Sequence, residues 1–355
     1  MPFARMPLTI LKSPWMLAPV VVGLMFVGQA QHKTLPVKVP VPIKTLHFSS
    51  QFRPSQDNRA TYHVDISADG GTMAVGFGNQ FLSVDLDAGK PLFRQELPTL
   101  KGSDLEFYWF AFSPDSRRLA LAAKGGKVLF LAPRTGKTLQ SLQTSGELVH
   151  FWFSPDSRFL CTMGALGEAE IWDLHTFKKL RTLQEDQVPW TLTANSQQVL
   201  TADLKGHLRL VSVTTGKSSP FLNLTDPAIL YQVSPDGKKL ATADVKMPQG
   251  TLMKVAPMSF VSVWDTRTQK RLAQFALTGE GRISRLMFAD GGKTLVAGTQ
   301  RGSIVVWNVL KKKTLQHFQA HQGEIIDLEL HQDRLYSAAG LGEVKIWDFS
   351  QIRSP

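Results

Sequence analysis

Cysteine is nearly absent: the chain of 355 residues has one, Cys161. A lone thiol cannot close an internal disulfide, and the paired cysteines of structural zinc sites are missing with it. No apolar run reaches the roughly 20 residues that a membrane-spanning helix requires. The longest, "WMLAPVVVGLMFVG" at residues 15–28, has fourteen. Catalytic signatures are missing as well. There is no G-x-S-x-G elbow, no H-E-x-x-H and no Asp-rich loop, which removes the usual hydrolase and metal-site motifs. "RTGKTL" (residues 134–139) and "GGKTL" (291–295) have the Gly-Lys pair of a phosphate loop. Such a loop needs a further Gly five positions earlier to open its cradle of amides. Those positions hold Leu131 and Met287, so both segments read as turns.

What the chain does have is repetition. "FAFSPDSRRLALAA" starts at Phe110, "FWFSPDSRFLCTMG" at Phe151 and "YQVSPDGKKLATAD" at Tyr231. Each places period-2 apolar alternation on both sides of a Ser-Pro-Asp-Ser/Gly turn, the pattern of a β-hairpin. The acidic or amide turn residue continues along the chain as Asp69, Asp115, Asp156, Asn195, Asp236, Asp290 and Asp333. The gaps are 46, 41, 39, 41, 54 and 43 residues. A second motif follows most turns: Trp172-Asp173, Trp264-Asp265, Trp307-Asn308 and Trp347-Asp348. "SVDLDAGK", "LFLAPRTGK" and "LVSVTTGK" are its degraded forms in the first, second and fourth repeats. Twenty-one Phe and eight Trp are ample for a large core.

Hairpins of this kind followed by Trp-Asp at a period of about 40 residues resemble WD40 repeats, here in a divergent, bacterial-type form. The resemblance implies an all-β fold: a seven-bladed propeller of four-stranded antiparallel blades around a channel. After Trp347-Asp348 only seven residues remain, too few for another strand. "IKTLHFSS" (43–50) is similar to "KKTLQHFQAH" (312–321), so an N-terminal strand at residues 43–49 is expected to complete the last blade. Many WD40 blades carry an Asp in the turn before the Trp strand, bonded to a His and a Ser or Thr. The matching positions are Gly78, Gly125, Leu166, Lys205, Arg301 and Leu341, none of them acidic. Only His321 matches the family's Gly-His. The buried polar network is therefore expected to be missing, with apolar packing in its place.

The basic start with Arg5 and Lys12, the short apolar run and "GQA" ending at Ala30 match a secretory signal peptide. The expected organisation is a signal peptide, or alternatively an N-terminal anchor, at residues 1–30. A Pro/Val/Lys-rich linker (31–42), a propeller (43–349) and a tail (350–355) follow. The implied location is periplasmic or extracellular, with membrane contact only if the leader is retained. The formal net charge is +11. Its lysines fall in outer hairpins such as Lys178-Lys179, Lys238-Lys239 and Lys311 to Lys313, where charge also protects sheet edges. With no basic stripe interleaved with aromatics, nucleic acid is not expected as a partner.

The expected function is a non-catalytic, monomeric scaffold that binds a protein or peptide and needs no cofactor or metal. Family geometry places partner contacts at the starts of inner strands and at the turns between second and third strands. The matching residues are Tyr62, Phe77, Glu106, Tyr108, Lys124, Glu147, Asp186, Arg282, Gln300 and Glu324. The insertion at residues 245–260, with Met253 and Met258, joins them as an adaptable Met-rich loop. The alternative is a propeller enzyme that binds a small molecule or metal at the channel mouth, near Glu106, Glu147, Asp186 and Glu324. Cys161 reads as a buried, inert thiol and His150 as a packed or rim residue.

Overall fold

The computed structural model describes residues 39–48, 62–77, 80–96, 109–123, 125–183, 188–203, 205–224, 228–246, 258–340 and 342–354. Within them are seven four-stranded antiparallel sheets, each a meander of consecutive strands except the last. The first strands of neighbouring blades touch one another and surround the channel. We call the strands of each blade a to d from the channel outward. The a strands are Tyr62–Ile66, Phe110–Phe112, Leu148–Phe153, Val188–Leu192, Leu230–Val233, Ile283–Ala289 and Ile325–His331.

The seventh blade is closed by the N-terminus. Strand Lys44–His47 pairs antiparallel with Glu343–Asp348, matching Lys44 to Ile346 and His47 to Glu343. Phe48 continues the ladder through its N–H to the Gly342 carbonyl and is buried among Val64, Val75 and Val344. The expected closing strand is thus present. After the last strand the chain forms a one-turn helix, Phe349–Ile352, whose Phe349 and Ile352 are fully buried.

The a–b turns are built as their sequence suggests and add a second function. Ser113, Ser154 and Ser234 each donate to the turn Asp two residues on, at 2.5–2.6 Å. Each turn also reaches the next blade. The Asp69, Asp115 and Asp156 amides donate to the hydroxyls of Ser116, Ser157 and Ser196 at 2.9–3.1 Å. Those serines hold φ between 58° and 59°, a left-handed conformation that costs a non-glycine residue about 1 kcal/mol. The inter-blade hydrogen bond offsets it. The fifth blade has Gly237 at this position, and there the series stops.

The core consists of clusters shared between adjacent blades, such as Phe110, Phe112, Leu119 and Leu131 against Ala74 and Phe81. Where strand b supplies a hydroxyl, the strand c Trp uses it. The Trp172, Trp264 and Trp347 indoles donate to Thr162, Thr242 and Ser337 at 2.8–3.2 Å. Blade six has Ala297 at that place, and its Trp307 stacks on Phe275 instead.

The expected absence of a buried polar network needs correction in blade seven. His321, fully buried, lies 2.7 Å from the Ser337 hydroxyl and 2.5 Å from the Glu343 carboxylate. With the Trp347 indole this is a continuous four-residue chain. The acid is displaced from the turn position, Leu341, to the first residue of the next strand, where the longer Glu side chain reaches His321. Blade three buries an acid of its own: Glu170 accepts from Ser145 at 2.5 Å and from Lys179 at 2.8 Å.

Candidate functional site

The channel wall follows from strand register. In blades one, two, three, six and seven two positions at the a strand face inward and are only partly buried, with the position between them packed into the blade interface; blades four and five contribute one such position each. Val64, Phe110 and Phe151 are such interface residues, at 1% exposure or less. One inward row contains His63, Trp109, His150, Arg285 and Asp327. The other contains Asp65, Ala111, Trp152, Thr191, Gln232, Met287 and Glu329.

Opposite sides of this wall differ in chemistry. Blades one to three present a row of rings in contact: His63 and Trp109 tilted at 4.3 Å, Trp109 and His150 tilted at 3.7 Å, and His150 stacked on Trp152 at 4.1 Å. Burial pushes the His63 imidazole down to about 4, although its Nε2 contacts the Phe110 carbonyl. Burial takes His150 down to about 3. Both rings are therefore neutral at pH 7.

Where blade seven meets blade one, Asp65, Asp327 and Glu329 bring carboxylate oxygens within 4.8 Å of one another. Burial is the main cause that raises all three. Asp65 is pushed up to about 8, with Asp327 repelling it, and Asp327 to about 6, with Arg285 opposing the rise. Glu329 is raised well above its ordinary value, with both aspartates repelling it. The Asp65 carboxylate accepts from the Ile66 and Phe112 amides at 3.0 and 2.6 Å. Arg285 Nε stands 3.6 Å from Asp327. Such a cluster can share protons or accept a cation through hard oxygen ligands. A cavity of about 300 Å³ opens beside it, lined by His150, Trp152, Trp190, Tyr231, Gln232 and Arg285.

Some of the residues anticipated from sequence are described, at the face bearing the d–a and b–c connections. Arg282 and Glu324 pair at 2.9 Å across blades six and seven, and the Gln300 carboxamide accepts from the Arg282 amide at 3.4 Å. Glu147 accepts from the Gly125 amide at 3.1 and 3.2 Å. Phe77 ends strand b of blade one and packs against its core cluster. Met258 opens strand c of blade five, opposite Lys246. Tyr62 begins strand a of blade one. Glu106, Tyr108, Lys124, Asp186 and Met253 lie outside the described residues. Large apolar side chains also emerge on this face: Val149 (45% exposed), Leu166 (90%), Ile229 (41%) and Val245 (37%). Cys161 is buried, its thiol pushed up to about 12.

Sequence reasoning passed over Asp65, Arg285, Asp327 and Glu329. Their spacing carries no motif, because the ring brings strands from opposite ends of the chain together. The period-2 position of each residue in its a strand was the available clue.

No family model matches the chain. It is similar to a U3 small nucleolar RNA-associated protein 12 of Saccharomyces cerevisiae, 24% identical over 50% of this chain and 19% of the relative. It is also similar to two Arabidopsis thaliana proteins. One is a U3 small nucleolar RNA-associated protein 18 homolog, 29% identical over 28% of this chain and 18% of the relative. The other is a U3 snoRNP-associated protein-like protein, 30% identical over 31% of this chain and 20% of the relative. The chain spans about a fifth of the length of these relatives. With the seven closed blades and the Trp-Asp repeats, the fold is a WD40-type propeller.

These comparisons overturn the exported or membrane-anchored localisation. The names of all three relatives tie them to U3 small nucleolar RNA or its ribonucleoprotein, which points to the nucleus. Residues 1–30, on which that expectation rested, lie outside the described residues. Among the described residues no helix is long and apolar enough to cross a membrane. The expectation that nucleic acid is not a partner finds no support in them either.

Proposed function

We propose that the chain is a non-catalytic interaction propeller that holds a protein partner on its d–a and b–c face within an RNA-containing assembly. The observation that carries this reading is the distribution of exposed apolar side chains. Val149, Leu166, Ile229 and Val245 stand on that face, which also carries the mutually paired Arg282 and Glu324. Apolar anchors with a polar surround are the composition of a protein interface. The ribonucleoprotein setting draws on the names of the relatives. Tyr62, Tyr108 and the insertion after Lys246 belong to this reading as further anchors.

The test is capture of partners from native extract with wild-type protein and with Leu166→Glu. Leu166 is 90% exposed, so the fold should be unchanged by circular dichroism. Loss of specific proteins from the Leu166→Glu capture supports the reading. Identical captured sets from both, with Tyr108→Ala also silent, would sink it.

A second reading, a cation or small polar ligand in the channel, has one observation in its favour: the half-buried Asp65, Asp327 and Glu329 cluster. A rise in melting temperature with millimolar divalent cation, abolished by Glu329→Gln, would support it. No shift with Mg²⁺, Ca²⁺ or Mn²⁺ would dismiss the metal form.

A further inference from the structure

The two faces of the ring differ in charge. Blades one to six send their a–b and c–d turns, and blade seven its a–b turn, to the face opposite the one just described. In blades five and six those turns comprise residues 234–239, 265–271, 289–293 and 308–313. They hold nine Lys or Arg against three Asp. Each Asp is engaged within its own structure. Asp236 accepts from Ser234 and the Lys238 amide. Asp265 accepts from the Arg267 and Thr268 amides. Asp290 binds Thr294 and Arg353. Among the described residues Lys311, Lys312 and Lys313 reach no carboxylate, and all three are exposed. The other face mixes both signs: Arg282 pairs with Glu324 and Lys345 with Glu343, beside exposed cations such as Arg301 and Lys205.

We infer that the turn face of blades five and six binds RNA through its phosphates. Closely set cations with no paired anions concentrate positive potential, and a polyanion relieves it by releasing condensed counterions. Among the described residues Leu310 is the sole exposed large apolar side chain of these turns. A membrane-surface site needs an apolar face to insert, so the lysines alone do not make one. Exposed aromatics, on which unpaired bases stack, are missing from the same turns. The surface therefore suits the backbone of a folded or double-helical RNA, recognised by shape and charge. A cleft of about 340 Å³ between blades four and five opens on this face, with Asn195, Thr266 and Arg267 at its polar rim. It lies where Gly237 interrupts the inter-blade serine bonds. The choice of RNA among polyanions rests on the proposed ribonucleoprotein setting; the charged face does not.

The test is fluorescence anisotropy of the purified full chain with a labelled RNA duplex of about 20 base pairs across a salt series. The variant Lys311→Ser/Lys312→Asn/Lys313→Ser removes the densest run. Asn suits position 312, where φ is 52°. Lys127→Ser, on the opposite side of blade two, is the control. The variant should bind at least 10-fold more weakly, with a salt slope lower by about 2–3, at an unchanged melting temperature. The control should bind like wild type. Wild-type protein without affinity for the duplex at low salt would overturn the inference. So would a triple variant that binds undiminished. Binding to phosphatidylserine vesicles through the same lysines, with no RNA binding, would assign the face to a membrane. None of these outcomes depends on the opposite face, so protein capture by Leu166 stands or falls separately.

Discussion

Ser157 shows how one residue joins two blades. It holds φ at 59° while its hydroxyl accepts from the Asp115 amide at 2.9 Å. Ser157→Ala keeps the strained backbone and loses the bond, and should cost about 1–2 kcal/mol by thermal or urea unfolding. Ser157→Gly loses the same bond but relieves the strain, so its cost should fall below about 0.5 kcal/mol. Equal costs for both would show that the conformation carries no strain. Asp65 makes a different prediction, in pH. Its folded value, about 8, lies above the ordinary 3.8. Between those values the native state keeps a proton that the unfolded chain has released. Stability from this group therefore falls as pH rises through the window. His63 and His150 have the opposite sign: their lowered values make stability fall as pH drops below 6.5. Asp65→Asn should flatten the alkaline side of the profile, leaving the variant about 1–3 kcal/mol more stable than wild type near pH 8. Near pH 4 the advantage should vanish. An unchanged profile would mean that the carboxyl is ionised in the fold.

At the scale of the element, the strand c Trp and its partner explain what could be read and what could not. The Ser-Pro-Asp turns and Trp-Asp strands were legible because each carries its own chemistry in adjacent residues. The His321–Glu343 pair was not legible. The acid stands on strand c rather than in the turn, so a search by turn position finds Leu341. The hydroxyl partners of the Trp residues were missed because they come from strand b, ten residues away for Trp172 and Trp347 and twenty-two for Trp264. Ser337 accepts from Trp347 at 2.8 Å and meets His321 at 2.7 Å. Ser337→Ala would leave a buried indole N–H and an imidazole nitrogen without partners. The expected loss is about 2–3 kcal/mol, read from the urea midpoint. Thr242→Ala frees only the Trp264 indole and should cost about half as much. A Ser337→Ala effect no larger than that of Thr242→Ala would mean that the blade-seven chain is not held as a unit.

At the scale of the molecule, closure determines both stability and site. The Asp65, Asp327 and Glu329 cluster exists only because the first blade meets the seventh, and no linear reading of the chain brings those residues together. Closure itself was legible, since residues 43–50 are similar to the outer-strand segment at 312–321. The physical hinge of that closure is strand Lys44–His47 with Phe48 behind it. A chain lacking residues 31–50 would leave the Glu343–Asp348 edge unpaired and uncover the cluster around Val344 and Ile346. Burying a Phe side chain alone contributes about 1.5–3 kcal/mol. Total stability for a domain is only about 5–15 kcal/mol, so the ladder and Phe48 together are a large share. The truncated chain should melt well below the full one and aggregate through the freed edge, as exposed strand edges do. Phe48→Ala separates the two contributions: it keeps the ladder and removes the packing. It should lower the melting temperature by less than the truncation and leave the protein monomeric by light scattering. A truncated chain that melts with the full one would show that the first and seventh blades are held by their a strands alone.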